Sequence, residues 1–368
     1  MSPYRVAFFN WDLPERIGEF EFVRPLGAPS RVGSPGRIDR FFRGGLRRLA
    51  EHPWPLSASY IDELWRRQEP NYMTLLERFR RWCAGCDVLV MGNFNPIHPE
   101  VIARLDVPMK VLGFVDDPHS SYSRGLPFLW AFDAAFYVSP SYSRTREFGQ
   151  TLRMWGCNKS YWLPWVTEDY PRPTDSSRSF FVDRDVSITY VGKAYGPKID
   201  RLARFKRALG DDLQVFGRWP MRGWWGVLRG LVKGEPWWQR VKSLTREERT
   251  QLYYRSKIGL NLHLSQNVET GNMRMYEVPA HGMALVSDRA GMDSQRLIYE
   301  DPREARFYSG VDEGVAIIRS LLSNDEERIR MAQRGFERFW SDYEYRANLM
   351  RFLRWCVSES DSDMGVVS

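Results

Sequence analysis

The densest set of reactive residue types lies between Ile258 and Asp288, IGLNLHLSQNVETGNMRMYEVPAHGMALVSD. The run reads as an apolar strand, a polar loop, a helix, a glycine turn and a second buried strand. Thr270, Gly271 and Asn272 fall at the expected helix start, where unbonded backbone N–H groups and the positive dipole end suit a phosphate. Two carboxylates, Glu269 and Glu277, stand with seven residues between them, one in the loop and one in the helix. Arg274 precedes Glu277 by three positions, so both can share one helical face. This set could hold an anion at the helix start. It also fits an ordinary amphipathic helix with solvated charges, and spacing alone does not choose.

A loop of this kind needs a parallel sheet behind it, and the chain supplies the pattern twice. In the first half, short β-rich runs at Arg5–Asn10, Asp87–Met91, Met109–Val115, Ala134–Val138 and Tyr161–Leu163 alternate with helical stretches such as Tyr72–Trp82. Alternation of strand and helix implies parallel pairing through right-handed crossovers. Tyr170–Arg184, rich in Pro, Ser and charge, reads as a linker. The pattern then restarts with strands at Ser187–Val191, Leu213–Phe216, Ile258–Leu262 and Ala284–Ser287. Helices are expected at Lys198–Leu209, Arg246–Arg255, Asn272–His281, Asp312–Leu322, Asp325–Trp340 and Glu344–Trp355. The resulting division is an N-terminal domain over 1–169, a linker over 170–185, a second domain over 186–340, a crossing helix over 341–357 and a disordered tail over 358–368.

With 368 residues, 43% hydrophobic and 27% charged, the chain can bury two cores and is not a disordered protein. No apolar run approaches the roughly 20 residues of a membrane span, and the N-terminus lacks the layout of a secretory signal. Four cysteines are too few for a disulfide scaffold and fit a reducing cytosol, so the expected location is cytoplasmic. A net charge of +7 favours anionic partners. Nucleic acid is one such partner, but the basic residues are spread along the chain and no helix-turn-helix, zinc-finger or RNP-type motif is present.

The 258–288 segment resembles the nucleotide-sugar half of GT-B glycosyltransferases of the group-1 type, and most of all the CgeB-like (spore-maturation-protein) family. There, a strand ending in Leu-Asn precedes a polar loop, an R-x-(F/Y)-E-x-x-A-x-G helix and an apolar strand. Here these are Leu260-Asn261, Arg274 to Gly282, and MALVSD. Pro279 is unusual inside this helix but tolerable in its first turns. Glu269 and Glu277 also match the Glu-x7-Glu spacing of retaining group-1 enzymes. The resemblance implies that Glu277 binds the ribose hydroxyls and Glu269 those of the donor sugar, with Arg274 at the phosphate or a nearby carboxylate. Tyr190-Val191-Gly192-Lys193, with Lys198 beyond, is similar to the opening of that domain, whose cations contact the diphosphate; an exposed lysine beside a glycine turn is the plainer alternative. LQVFGRW resembles the family's next strand and places Gly217 and Trp219 near the base.

In the first half the likeness is topological. Val115-Asp116-Asp117-Pro118-His119-Ser120 follows an expected strand, and loops at strand C-termini face the ligand crevice. The stretch is similar to the loop that sets a His or Asp against the transferring sugar, making His119 and Asp117 candidate catalytic residues; a turn histidine capping the next helix is the alternative. His263 is expected to line the cleft and His281 to pack at a helix end. Cys83-Ala84-Gly85-Cys86 lacks the second ligand pair of a zinc site and reads as structural. Asp183/Asp185 and Asp361/Asp363 match a DxD pattern by chance, and no metal is implied.

Together these readings give a fold of two Rossmann-like domains facing a cleft, with the last helix crossing back to the N-terminal domain. The implied activity is transfer of a sugar from a nucleotide-diphosphate donor, retaining and metal-independent, with no cofactor beyond the donor substrate. The alternatives are a sugar-nucleotide epimerase of the same fold and a basic nucleic-acid-binding protein; no stretch suggests the pyridoxal lysine of a phosphorylase. The 218–242 segment, RWPMRGWWGVLRGLVKGEPWWQRVK, interleaves tryptophan pairs with cations. It fits either peripheral contact with an anionic membrane or packing within the protein.

Overall fold

The computed structural model describes residues 2–8, 13–23, 58–92, 96–115, 125–139, 141–143, 146–164, 169–174, 177–193, 197–217, 232, 241–263, 272–289 and 298–358. The chain divides into two compact units: Met1–Pro164 with Arg346–Ser368, and Trp165–Tyr345.

Unit 1 runs through β1 (Tyr4–Phe8), β2 (Arg16–Ile17), β3 (Phe20–Phe22), α1 (Ala58–Arg66), α2 (Pro70–Cys83), β4 (Val88–Gly92), α3 (Pro99–Ala103) and β5 (Met109–Phe114). It continues with β6 (Ala134–Tyr137), β7 (Ser141–Ser143), β8 (Arg146–Glu147), α4 (Phe148–Met154) and β9 (Ser160–Trp162). Its sheet has the order β2-β3-β1-β4-β5-β6-β9. Every neighbouring pair is parallel except β2–β3. The strands are short apolar runs because helices cover a parallel sheet. Helix α2 starts where Glu69 accepts from the Tyr72 N–H and Pro70 fills the first turn. It buries Tyr72, Leu75, Leu76, Phe79 and Trp82 at helical spacing. Cys83 and Cys86 are buried free thiols, and burial pushes both up in pKa, as a structural role requires.

Unit 2 contains α5 (Arg178–Val182), β10 (Val186–Val191), α6 (Pro197–Leu209), β11 (Leu213–Phe216), α7 (Arg246–Arg255), β12 (Ser256–Asn261) and α8 (Met273–Ala280). β13 (Ala284–Asp288), β14 (Arg306–Tyr308), α9 (Val311–Ser323) and α10 (Asp325–Arg338) complete it. The sheet order is β11-β10-β12-β13-β14 and every pair is parallel. Numbered within the unit this is 2-1-3-4-5, whose topological switch point lies between β10 and β12.

The last helix, α11 (Tyr345–Val357), is built into unit 1, as expected for a helix that crosses back. Phe352 meets the rings of Phe136 and Tyr161, and Lys159 lies over Trp355 at 5.1 Å. Arg354 pairs with Glu19 at 2.7 Å, and the Asn348 amide donates to the Pro164 carbonyl at 3.3 Å.

Three local expectations change. The 170–185 stretch is no bare linker among its described residues, because α5 forms within it and Phe181 and Arg184 are buried in unit 2. Pro279 sits in the last turn of α8, not the first: it cannot donate to the Met275 carbonyl, and the helix ends one residue later at Ala280. The β2–β3 pair is an addition, turned by Gly18 at φ +55° between strands too short to show periodicity.

Candidate functional site

The C-terminal ends of β10, β12 and β13 carry a connected set of polar side chains, most of them buried. Asn261, at the end of β12, accepts at Oδ1 from Arg274 Nε (2.9 Å) and from the Asn272 amide (3.0 Å). Its own amide donates to Ser287 Oγ on β13 at 3.0 Å. Asn272 caps α8 by accepting the Arg274 N–H at 3.1 Å, which is why the helix starts there. Arg274 then reaches across the switch point, donating from Nη1 to the Val191 carbonyl (3.1 Å) and from Nη2 to the Leu262 carbonyl (3.2 Å). Its guanidinium also lies 5.0 Å over the Tyr190 ring. Arg274 therefore ties the two central strand ends together.

That bridge explains two glycines. A Cβ on Gly192 would stand 2.2 Å from Arg274 Nη1. A Cβ on Gly217, which has φ +134°, would stand 2.0 Å from the Gly192 carbonyl oxygen. Only glycine allows the β10 and β11 ends to approach this closely beside the guanidinium.

Glu277 lies one turn along α8 and is 4% exposed. Tyr253 Oη donates to its Oε2 at 3.3 Å and Arg249 Nη1 stands 3.4 Å from Oε1, both partners coming from α7. A buried carboxylate needs such partners, since unpaired charge is costly to desolvate. His281, at the end of α8, is 1% exposed; its Nδ1 donates to the Glu277 carbonyl at 2.7 Å. It packs among the rings of Tyr170, Tyr253 and Tyr254, and burial pushes its pKa down to about 4. His281 is a packed, neutral histidine, as expected.

A second buried group lies at the ends of β12 and β13. His263 is fully buried, and its Nδ1 stands 2.8 Å from Asp288 Oδ1. Asp288 also accepts the His263 backbone N–H (2.9 and 3.1 Å) and Arg201 Nη1 (2.6 Å). Arg201 Nη2 donates to the His263 carbonyl. Burial alone would raise the Asp288 carboxyl, but His263 and Arg201 outweigh it and hold its pKa below the ordinary value.

The structure thus brings together Arg274, Asn272 and Glu277 in unit 2, with Lys193 exposed just beyond β10 and Lys198 buried at the start of α6. Asp117, His119, Trp219, Glu269, Thr270 and Gly271 lie outside the described residues, as does nearly all of 218–242 and the tail from 359. Asp185 pairs with Arg255 on the surface at 2.9 Å, which accounts for half of one DxD match. Among the described residues no cluster of three or more His, Cys, Asp or Glu could hold a metal ion. Likewise, no helix among them is long and apolar enough to cross a membrane. Sequence reasoning missed Arg249, Tyr253, Arg201 and Asp288. Their roles arise from packing between α7 and α8 and between α6 and β13, which leaves no local signature.

Residues 200–354 match the family described as glycosyl transferase-like. No curated protein matches the chain in sequence. Among solved structures, the chain resembles Anabaena HepE in complex with UDP-glucose, with a TM-score of 0.57 and 12% identity over 95% of this chain and 98% of that one. Sucrose-phosphate synthase from Thermosynechococcus elongatus is similar at TM-score 0.56 and 12% identity, covering 96% and 98%. TarM is similar at TM-score 0.53 and 11% identity over 77% of this chain, which spans 58% of TarM's length. These likenesses establish the GT-B fold: two Rossmann-like α/β domains, the second carrying the glycosyltransferase-like sequence.

Proposed function

We propose that this protein is a glycosyltransferase of CgeB-like, group-1 type that moves a hexosyl group from a nucleoside-diphosphate donor to an acceptor. The observation that carries this reading is the buried Glu277 carboxylate at the C-terminal edge of the unit 2 sheet. It lies beside a strand-end bridge formed by Arg274 and within a segment of glycosyltransferase-like sequence. A carboxylate held by a tyrosine and an arginine can accept both hydroxyls of a ribose. Lys193 and Lys198, with the amides of Thr270, Gly271 and Asn272, supply fixed positive potential for a diphosphate that gains charge as it leaves. Arg274 acts mainly by holding those strand ends in place, and Gly217 and Trp219 lie near the base. His119, Asp117 and Glu269 orient the transferring sugar. The Glu-x7-Glu spacing favours retention of configuration without a metal. That HepE was solved with UDP-glucose makes a uridine donor the first to try. The tryptophan-rich 218–242 segment supports peripheral contact with a cytoplasmic membrane surface and a lipid-linked acceptor.

A thermal-shift screen of nucleoside diphosphates tests the reading. Stabilisation by one base over the others, followed by donor turnover that rises with acceptor, is the expected result. No stabilisation by any nucleoside diphosphate would contradict it, and donor epimerisation without transfer would favour the epimerase alternative.

A further inference from the structure

His263 has one ring nitrogen fully accounted for and one not. Asp288 is a carboxylate and can only accept, so the 2.8 Å contact places a proton on Nδ1. Nε2 is buried and has no hydrogen-bond partner among the described residues. Leaving a buried polar atom unmet is costly, and such groups in native proteins call for an explanation. The supports of this imidazole are elaborate: its own N–H and Nδ1 bind Asp288, and Arg201 clamps Asp288 and the His263 carbonyl. Rigid support of one ring face, with the opposite nitrogen left open, is the arrangement of a residue that meets a ligand.

Position and charge narrow the ligand chemistry. His263 follows β12, one of the two strands flanking the switch point, where α/β sheets of this order bind ligands. Since Nδ1 turns toward Asp288 on β13, Nε2 points away from β13. Arg201 balances the charge of Asp288 at 2.6 Å. Arg274 bonds the adjacent Leu262 carbonyl, and Lys198 lies one turn before Arg201 on α6. Among the described residues, Tyr190 on β10 and Tyr308 on β14 also interact with Asp288; both are buried phenols whose pKa values burial raises. Nε2 is thus the ring atom open to a ligand, and a hydroxyl can meet it as donor or as acceptor.

We propose that His263 contacts the bound nucleotide sugar, Nε2 forming a hydrogen bond with a ligand hydroxyl, with Asp288 and Arg201 as its positioning residues. This inference rests on the glycosyltransferase reading. The hydroxyl belongs to the ribose or to the sugar, and the two sources separate by experiment.

His263→Asn keeps an amide donor near Nδ1 for Asp288 and removes Nε2, whereas His263→Gln keeps a polar atom near Nε2. Affinities of both variants and wild type for UDP and UDP-glucose, by calorimetry, provide the test; ADP and GDP with their glucose conjugates serve if the screen selects another base. We expect His263→Asn to bind UDP-glucose on the order of 10-fold more weakly, the equivalent of one hydrogen bond, with partial recovery in His263→Gln. Equal weakening toward UDP identifies the ribose; weakening confined to UDP-glucose identifies the sugar. Wild-type affinity of folded His263→Asn for both ligands overturns the inference and leaves the glycosyltransferase reading standing. Failure of the wild type to bind any nucleoside diphosphate overturns both. Should His263→Asn not fold, the nitrogen NMR signal of wild-type Nε2 decides: a ligand-induced shift supports the contact, and an unchanged signal overturns it.

Discussion

The two parallel sheets are built alike, yet they bury different things. In unit 1 the described core is almost wholly apolar and its buried polar side chains are few: among them, His98 caps α3 by accepting the Glu100 N–H at 3.2 Å and faces Asp62 at 3.5 Å, Thr151 donates to the Glu147 carbonyl, and Asn348 donates to the Pro164 carbonyl. In unit 2, Arg184, Lys198, Asn261, His263, Glu277, Asp288 and Arg328 are all buried, most of them joined by bonds that cross between elements. Desolvating charge is costly, so a domain that does so repeatedly holds those groups for a ligand or for the elements around it. The contrast makes unit 2 the half in which to look for a ligand site.

The largest way to break this contrast is Arg184. Its Nε, Nη1 and Nη2 donate to the carbonyls of Phe180, Tyr253, Ser256 and His281. Arg184→Met strands these acceptors, and a loss of about 3–5 kcal/mol in chemical denaturation is expected. A loss below about 1 kcal/mol would show that the segment is the loose connection its composition suggests.

His281 gives the next effect. Its folded pKa is depressed to about 4 from an ordinary 6.5. Between those values the unfolded chain binds a proton that the folded chain refuses. Stability from this group is thus present above pH 6.5 and lost as pH falls toward 4, by up to about 3 kcal/mol. In His281→Phe the fall in denaturation free energy between pH 6.5 and 4 should be correspondingly shallower. An unchanged slope would mean that other groups carry the acid sensitivity.

Unit 1 supplies the small control. His98→Asn replaces one helix-capping acceptor by another, so a change below about 1 kcal/mol is expected. A larger loss would mean that the His98 stack on Trp65, at 4.8 Å, contributes more than the cap.

Much of this was legible in the chain. β11 and α7 stand at the bounds expected from the sequence, and most other expected elements differ only at their ends. Glu277, Arg274 and Asn272 fall together because strand, loop and helix there are contiguous, and local order carries that information. Arg249 and Tyr253 could not be found this way: α7 has almost no amphipathic signal, and its partnership with α8 exists only once both pack on the sheet. The reading of 170–184 as linker failed for a related reason. Pro, Ser and charge describe a turn-rich segment, but they do not reveal that Arg184 satisfies four distant or local carbonyls from inside the core.

The central claim is that the Glu277 carboxylate recognises the nucleoside part of a sugar nucleotide. Calorimetric titration of wild type and Glu277→Gln with the nucleoside diphosphate selected by thermal shift tests it most directly. Two charge-assisted bonds of roughly 1.5–3 kcal/mol each predict at least about a 10-fold loss of affinity in the variant, with the fold retained. Equal affinity in the two proteins would contradict the account.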